Sequence, residues 1–147
     1  MAPGALTAPR AEAVAIVTGG SSELGREVAR TLARRGFAIV VVYLDDPARA
    51  DATVDAVFAM SSAAVAVRAD LTDELDVERL FDETTAAFGA VDVVVDTTAP
   101  AASVLRRQAA RGLGSDVPVV SVSGANADND LADPRLFPER WRRRPSR

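Results

Sequence analysis

A glycine-rich turn at residues 18–25 carries the groups best suited to hold an anionic ligand. It follows the apolar run Val14–Thr18 and precedes a segment whose apolar residues recur at helical spacing. Glycine lets backbone approach a ligand closely, and the free N–H groups at the start of a helix attract negative charge. The turn therefore indicates a ligand crevice where a strand passes into a helix.

Acidic residues follow three later apolar runs, at Asp45, Asp70 and Asp96. Asp45 lies 20 residues after Gly25, and if a nucleotide bound in the crevice, its carboxylate would be suited to accept hydrogen bonds from a ribose 2′-OH. The alternative is that Asp45 and Asp46 merely form a turn before Pro47. Asp96 and Glu23 would both lie near the crevice, but two acids without a third ligand are not a metal site, so we expect no metal.

Missing residue types exclude several kinds of chemistry. The chain has no Cys and no His, which removes disulfides, zinc–thiolate sites and histidine-based proton transfer. All 17 basic residues are Arg, and the one Tyr is Tyr43. Lysine and histidine chemistry therefore cannot come from these 147 residues.

Charge and hydropathy bear on partners and location. The net charge of −4 argues against a general nucleic-acid surface, and no apolar run reaches the length of a membrane helix. The first residues lack the apolar core of a secretory signal, so a cytoplasmic protein is expected. Arginines surround Trp141 at 140–147, as in a solvated tail or a contact for an acidic partner.

The apolar pattern alternates between strand and helix along the chain. Strands are expected at Val14–Thr18, Phe37–Leu44, Ala63–Ala69, Val91–Asp96 and Val117–Ser123. Helices are expected at Glu23–Arg35, from Pro47 to about Met60, from a cap within Leu71–Glu74 through Phe88, and after Pro100 to Gly112 or Gly114. This alternation predicts an α/β fold, a Rossmann-like three-layer sandwich with a parallel sheet of about five strands in the order 3-2-1-4-5. Pro118 favours an edge position for the fifth strand. The crevice then lies beyond the carboxyl ends of strands one and four, lined by 18–25 and 96–100.

Three motifs in order resemble the short-chain dehydrogenase family. Residues 14–25, V-A-I-V-T-G-G-S-S-E-L-G, resemble its T-G-x-x-x-G-x-G fingerprint, with Glu23 at the second glycine. Asp70-Leu71 resembles its adenine-contacting pair, and F-G-A-V-D-V-V-V at 88–95 resembles the approach to its N-N-A-G motif. The resemblance covers roughly residues 12–99 and implies binding of NAD or NADP. The implied cofactor contacts are Thr18, Gly19, Ser21, Ser22, Glu23, Leu24, Gly25, Asp45, Asp70, Leu71, Asp96 and Thr97.

Two positions of this site depart from the family pattern. A carboxylate at Glu23 adds bulk and, at about 5 Å and an effective dielectric of about 20, would repel each phosphate charge by roughly 3 kcal/mol. It also suits the first turn of a helix, and by folding over the N–H groups it could occupy the anion site itself. Asp96-Thr97-Thr98-Ala99 replaces N-N-A-G, so the carboxamide that braces the central strands is absent and bracing is expected from elsewhere.

Cofactor preference and catalysis follow from the same resemblance. Asp45 favours NAD, while Arg49 is close enough to leave NADP open. Ser123, at the end of the fifth strand, best matches the Ser that polarises the substrate carbonyl. The Tyr and Lys that follow it in the family are absent, because Pro134, Leu136 and Phe137 occupy that window. Ser123 alone is also simply a polar strand terminus.

The domain reading is a flexible segment 1–12, a truncated Rossmann-like domain 13–124 and an irregular tail 125–147. A full family member continues for about a hundred residues, so either the tail, through Leu131, Leu136, Phe137 and Trp141, or a protein partner is expected to cover strands four and five. The expected function is a non-catalytic pseudoenzyme, nucleotide sensor or accessory module. The alternatives are an NAD(P)-dependent oxidoreductase that acts with a partner chain or a non-standard site, and a nonfunctional gene remnant.

Overall fold

A computed structural model describes residues 13–98, 102–113 and 117–138. The strands are β1 Ala13–Val17, β2 Phe37–Tyr43, β3 Ala64–Arg68, β4 Val93–Asp96 and β5 Val119–Ser121. The helices between them are α1 Glu23–Arg34, α2 Pro47–Phe58, α3 Glu74–Phe88 and α4 Ala102–Gly112. The predicted alternation of strands and helices is confirmed.

The five strands form one parallel sheet in the order β3-β2-β1-β4-β5. The predicted fold class and strand order are therefore confirmed, and β5, which follows Pro118, lies at the edge of the sheet. Strand β1 pairs with β2 on one side and β4 on the other. The chain reverses its direction of travel across the sheet at this point, which brings the ends of β1 and β4 together.

Helices cover both faces of the sheet, because successive residues of each strand point to opposite sides. On one face Ala15 and Val17 of β1 pack with Val28 and Leu32 of α1 and with residues of α2. On the other face Ile16 of β1 packs in a cluster with residues of α3 and α4. The result is the three-layer arrangement that the sequence predicts.

Four strands are shorter than the sequence predicts: β2 ends one residue early, β3 loses one residue at each end, and β4 and β5 differ more. Strand β4 begins at Val93 rather than Val91; just before it, the Asp92 carboxylate accepts a hydrogen bond from the Val14 N–H at 2.8 Å, and the Asp92 N–H donates to the Val14 carbonyl at 2.9 Å. Strand β5 covers Val119–Ser121 rather than 117–123, since its neighbour β4 has four residues with which it can pair. Helix α2 ends at Phe58, two residues before the expected end.

Residues 124–138 form short helical turns that pack on the sheet. The turns are Gly124–Asn126, α5 Ala127–Asp130 and Pro134–Leu136. Leu131 and Leu136 are buried in the cluster that holds Val120 and Val122 at the end of β5. The Arg35 guanidinium donates to the Leu136 carbonyl at 3.0 Å and stacks 3.9 Å from the Phe137 ring centroid. Either the tail or a protein partner was expected to cover strands four and five. Leu131 and Leu136 show that the tail contributes to this cover. Trp141, which was expected to take part, lies outside the described residues.

Candidate cofactor site

Ser22 organises the glycine-rich turn between β1 and α1. Its backbone is extended, and its hydroxyl donates to the Gly19 carbonyl at 2.8 Å while accepting from the Gly25 N–H at 2.9 Å. Gly19 has a φ of 66°, and a Cβ there would lie 2.3 Å from Thr97 Oγ1. A Cβ on Gly25 would lie 2.0 Å from the Gly19 carbonyl oxygen. Both positions require glycine because backbone or side chain already fills the space.

Glu23 is the first residue of α1 and its side chain is exposed. Among the described residues its carboxylate has no hydrogen-bond partner, and Ser22 caps the helix instead. Of the arrangements considered for Glu23, the one in which its carboxylate folds back over the helix N-terminus is not adopted; there the Ser22 hydroxyl accepts from the Gly25 N–H. Leu24, the next residue of the fingerprint, is half-buried against the cluster on the α1 side of the sheet.

A buried network joins the ends of β1 and β4. Thr18 Oγ1 donates to Asp96 Oδ1 at 2.8 Å, and Thr97 donates from Oγ1 to the Thr18 carbonyl at 2.8 Å and from its N–H to Thr18 Oγ1 at 3.1 Å. Thr98 adds two bonds to Asp96 Oδ1, from N at 2.9 Å and from Oγ1 at 2.6 Å. Bracing was expected from elsewhere in the chain, but the Asp96 carboxylate provides it at the same position. A carboxylate oxygen can accept the same hydrogen bonds as the oxygen of an amide side chain.

A cleft of about 440 Å³ lies beyond the ends of β1, β2 and β3. It brings together five of the predicted cofactor contacts, namely Gly19, Ser21, Asp45, Asp70 and Leu71. Its remaining lining residues are Val42, Tyr43, Leu44, Ala69, Thr72 and Thr98. Thr18 and Asp96 are fully buried behind it, and Thr97 contacts the Gly19 backbone region without lining the cleft.

The two acidic residues of the cleft are held differently. Asp70 accepts from the Thr72 hydroxyl at 2.7 Å and the Thr72 N–H at 2.9 Å, and these hydrogen bonds lower the pKa of its carboxyl group. Asp45 is exposed, whereas its neighbour Asp46 caps α2 by accepting from the Arg49 N–H. The turn before Pro47 therefore uses Asp46, and Asp45 is left to face the cleft.

Ser123, the weak catalytic candidate, lies apart from this cleft. It is exposed after β5, and its N–H donates to Asp130 Oδ2 at 3.0 Å. Within residues 13–98, 102–113 and 117–138 no three Asp or Glu residues come together as metal ligands. In the same part of the chain, none of the helices has the length and apolar character needed to cross a membrane.

Sequence reasoning missed Thr53, and it placed Thr98 in the lining of the crevice without naming it as a cofactor contact. Thr98 lines the cleft and anchors Asp96, and Thr53 of α2 donates to the Gly20 carbonyl at 2.7 Å. The signal for Thr53 was its position three residues after Ala50 and four before Val57, on the buried stripe of its helix. A polar residue on such a stripe needs a hydrogen-bond partner.

The glycine turn, the cleft and the sheet order agree with a match to a known family. The family of short chain dehydrogenases matches residues 13–117. The chain belongs to the short-chain dehydrogenase family. Among its curated relatives in the family, an uncharacterized oxidoreductase of Methylorubrum extorquens is 39% identical over 85 residues, which cover 58% of this chain and 34% of that protein. A hydroxynaphthalene reductase-like protein of Metarhizium robertsii is 40% identical over 85 residues, covering 58% and 32%.

Solved short-chain dehydrogenases share the fold. A Burkholderia cenocepacia short-chain dehydrogenase in complex with NADP is 28% identical with a TM-score of 0.68, covering 77% of this chain and 56% of that one. A dehydrogenase/reductase of Sinorhizobium meliloti is 30% identical with a TM-score of 0.69, covering 80% and 56%. The chain thus spans about a third of the length of its curated family relatives and just over half of the solved ones.

Proposed function

We propose that this chain binds a nicotinamide adenine dinucleotide and does not reduce carbonyl compounds with its own residues. The observation that carries the binding proposal is the cleft in which Gly19, Ser21, Asp45, Asp70 and Leu71 meet. These residues come from the ends of three different strands, where parallel α/β sheets bind their ligands. A bound nicotinamide would supply or accept a hydride; this chain contributes binding and orientation.

The lining of the cleft suits the adenosine portion of such a cofactor. Apolar side chains of Val42, Leu44 and Leu71 offer a surface for a flat ring, and polar groups stand at its rim. The close packing around Gly19 leaves backbone, rather than side chains, beside the cleft. The NADP bound to the Burkholderia relative supports the same class of ligand.

We infer a preference for NAD over NADP. Asp45 is exposed at the cleft, where its carboxylate can accept hydrogen bonds from a ribose 2′-OH and would repel a 2′-phosphate. Arg49, the cation that left NADP open, has its Nε 3.8 Å from Asp46 Oδ2 and does not line the cleft. Arg68 donates to the Leu44 carbonyl at 3.1 Å, so a cation does stand near the end of β2.

The non-catalytic part of the proposal rests on the residues available for proton transfer. The 147 residues contain no Lys, and Tyr43 lies in β2, beside the part of the cleft proposed for adenosine. A phenol acts as a general acid near neutral pH when a neighbouring cation lowers its pKa. Without that pair, the chain alone is expected to bind a cofactor without turning it over.

Calorimetric titration with NADH and NADPH tests the binding proposal. We expect weakened binding, because the Glu23 carboxylate stands at the first turn of α1. Since that side chain is exposed, its repulsion of each phosphate charge at about 5 Å falls to about 0.8 kcal/mol in water, or about fourfold in affinity. Glu23→Gln, which removes charge and keeps bulk, should tighten NADH binding by about fourfold for each phosphate charge at that distance. Glu23→Gly should tighten it further if bulk also matters.

Cofactor binding would be refuted if neither NADH nor NADPH bound to the unaltered chain or to either Glu23 variant. Steady NADH oxidation by the purified chain with a carbonyl substrate would refute the non-catalytic part alone. The two halves of the proposal are thus tested separately.

A second candidate function is an oxidoreductase whose reactive residues come from a partner chain. It is favoured by a groove of about 750 Å³ beside β5, lined by Val119, Val120, Arg106 of α4 and Pro134. Among the described residues β5 pairs with β4 on one side, and its other edge offers unpaired backbone groups to a further strand. Mixing the chain with the portion of the Methylorubrum relative that follows its matched segment should then give a complex that oxidises NADH in the presence of a carbonyl substrate, whereas neither part does so alone.

A further inference from the structure

Thr53 is fully buried in α2 and reaches out of its own helix to the glycine turn. Its hydroxyl oxygen lies 2.7 Å from the Gly20 carbonyl oxygen and 3.2 Å from the Arg49 carbonyl oxygen one helical turn earlier. The shorter contact joins residues that are 33 positions apart in sequence. Thr53 therefore ties α2 to the backbone of the turn that borders the cleft.

Gly20 is held from both ends. Its N–H donates to the Val42 carbonyl at 2.8 Å, and a Cβ at this position would lie 2.1 Å from Val41 Cγ1. The peptide bond from Gly20 to Ser21 is trans, so the carbonyl and the Ser21 N–H point in opposite directions. Because Thr53 holds the carbonyl toward α2, the Ser21 N–H is directed away from α2. That N–H has no acceptor among the described residues, and Ser21 lines the cleft.

We propose that Thr53 is a positioning residue that orients the Ser21 N–H to donate a hydrogen bond to a phosphate oxygen of the bound dinucleotide. This inference rests on the proposed function and names a determinant of the same site. Without the Thr53 hydroxyl, the Gly20–Ser21 peptide is free to rotate, because glycine accepts a wide range of backbone angles. Rotation would turn a carbonyl oxygen, rather than a donor, toward the anion. Holding the donor in place before binding removes the loss of freedom that binding otherwise entails.

The test compares Thr53→Val, which keeps the shape and removes the hydroxyl, with Thr53→Ser, which keeps the hydroxyl. The matched control is Thr84→Val: Thr84 is also buried within a helix and donates to the carbonyl four residues earlier, Leu80, at 2.8 Å. Each protein is titrated with NADH, ADP-ribose and adenosine. Thr53→Val should weaken NADH and ADP-ribose binding by about tenfold or more, the effect of a hydrogen bond to a charged group. Adenosine, which lacks phosphate, should bind within about twofold, and Thr53→Ser and Thr84→Val should bind all three like the unaltered chain.

Three outcomes would overturn the inference. Equal binding of ADP-ribose by Thr53→Val and the unaltered chain would show that the contact does not matter for phosphate. An equal loss for adenosine would indicate a general structural role. Should the unaltered chain bind NADH and ADP-ribose without any shift of the Ser21 amide resonance in ¹⁵N spectra, Ser21 is not the donor. The NMR measurement needs no variant. If the unaltered chain binds none of the three ligands, the proposed function is refuted and this inference with it.

Discussion

Thr18 and Asp96 are joined by a buried 2.8 Å hydrogen bond that connects residues 78 positions apart. The bond links the carboxyl ends of the two central strands, β1 and β4, where the direction of the chain reverses. Asp96 Oδ1 accepts from Thr18 and twice from Thr98, whereas Oδ2 is buried without a partner in the described part of the chain. The contact thus stabilises the crevice and leaves one buried oxygen unsatisfied.

Thr18→Val should lower the free energy of unfolding by about 1–3 kcal/mol, because the Thr97 N–H loses its acceptor and Asp96 loses a donor. Asp96→Asn should instead keep or raise stability, by up to about 1 kcal/mol. An amide keeps the accepting oxygen and removes a buried charge. Urea denaturation at pH 7 measures both. A loss for Asp96→Asn as large as that for Thr18→Val would show that the charge itself is needed.

Gly25→Ala should distort the turn, because the new Cβ would lie 2.0 Å from the Gly19 carbonyl oxygen. Backbone on the other side cannot yield as a flexible side chain would, so we expect a loss of about 1–3 kcal/mol in stability. NADH binding should also weaken. Gly124→Ala is the control, since nothing lies within 4 Å of a Cβ there. Thermal unfolding that places the two variants at the same Tm would contradict the packing argument.

Asp45→Ser should shift cofactor preference toward NADPH. The substitution removes an acceptor for the ribose 2′-OH and a charge that repels a 2′-phosphate, and we expect the ratio of NADH to NADPH affinity to fall about tenfold. Asp55→Ser on α2 changes the same charge at an exposed position outside the cleft and should leave the ratio unchanged. Calorimetric titration with NADH and with NADPH measures this ratio of affinities. An unchanged ratio for Asp45→Ser would remove the basis for the NAD preference.

Leu136→Ala should lower the free energy of unfolding by about 2–5 kcal/mol, because Leu136 is fully buried in the core cluster. Leu75→Ala, at a leucine that is 75% exposed, should change stability by less than about 0.5 kcal/mol. Chemical denaturation compares the two variants. If Leu136→Ala is as mild as the control, residues 124–138 are not an integral part of the core.

Much of the fold could be predicted because its signals are local. The apolar runs at 14–17 and 37–43 and the stop at Gly89 each depend on residues close in sequence. Strand order then followed from the limited number of ways in which such units connect. The lengths of β4 and β5 could not be predicted, because each depends on how many residues its neighbour has available for pairing.

The sequence by itself determined the class of fold, the glycine turn and the missing lysine, since these depend on residue type and local spacing. Tertiary structure decided how the site is held together: Asp96 braces the strand ends, and Thr53 reaches the glycine turn from α2. Each of these is a choice among several nearby donors and acceptors. Hydrogen bonds require distances near 3 Å and suitable angles, and spacing along a chain does not specify those until the helices and strands have packed.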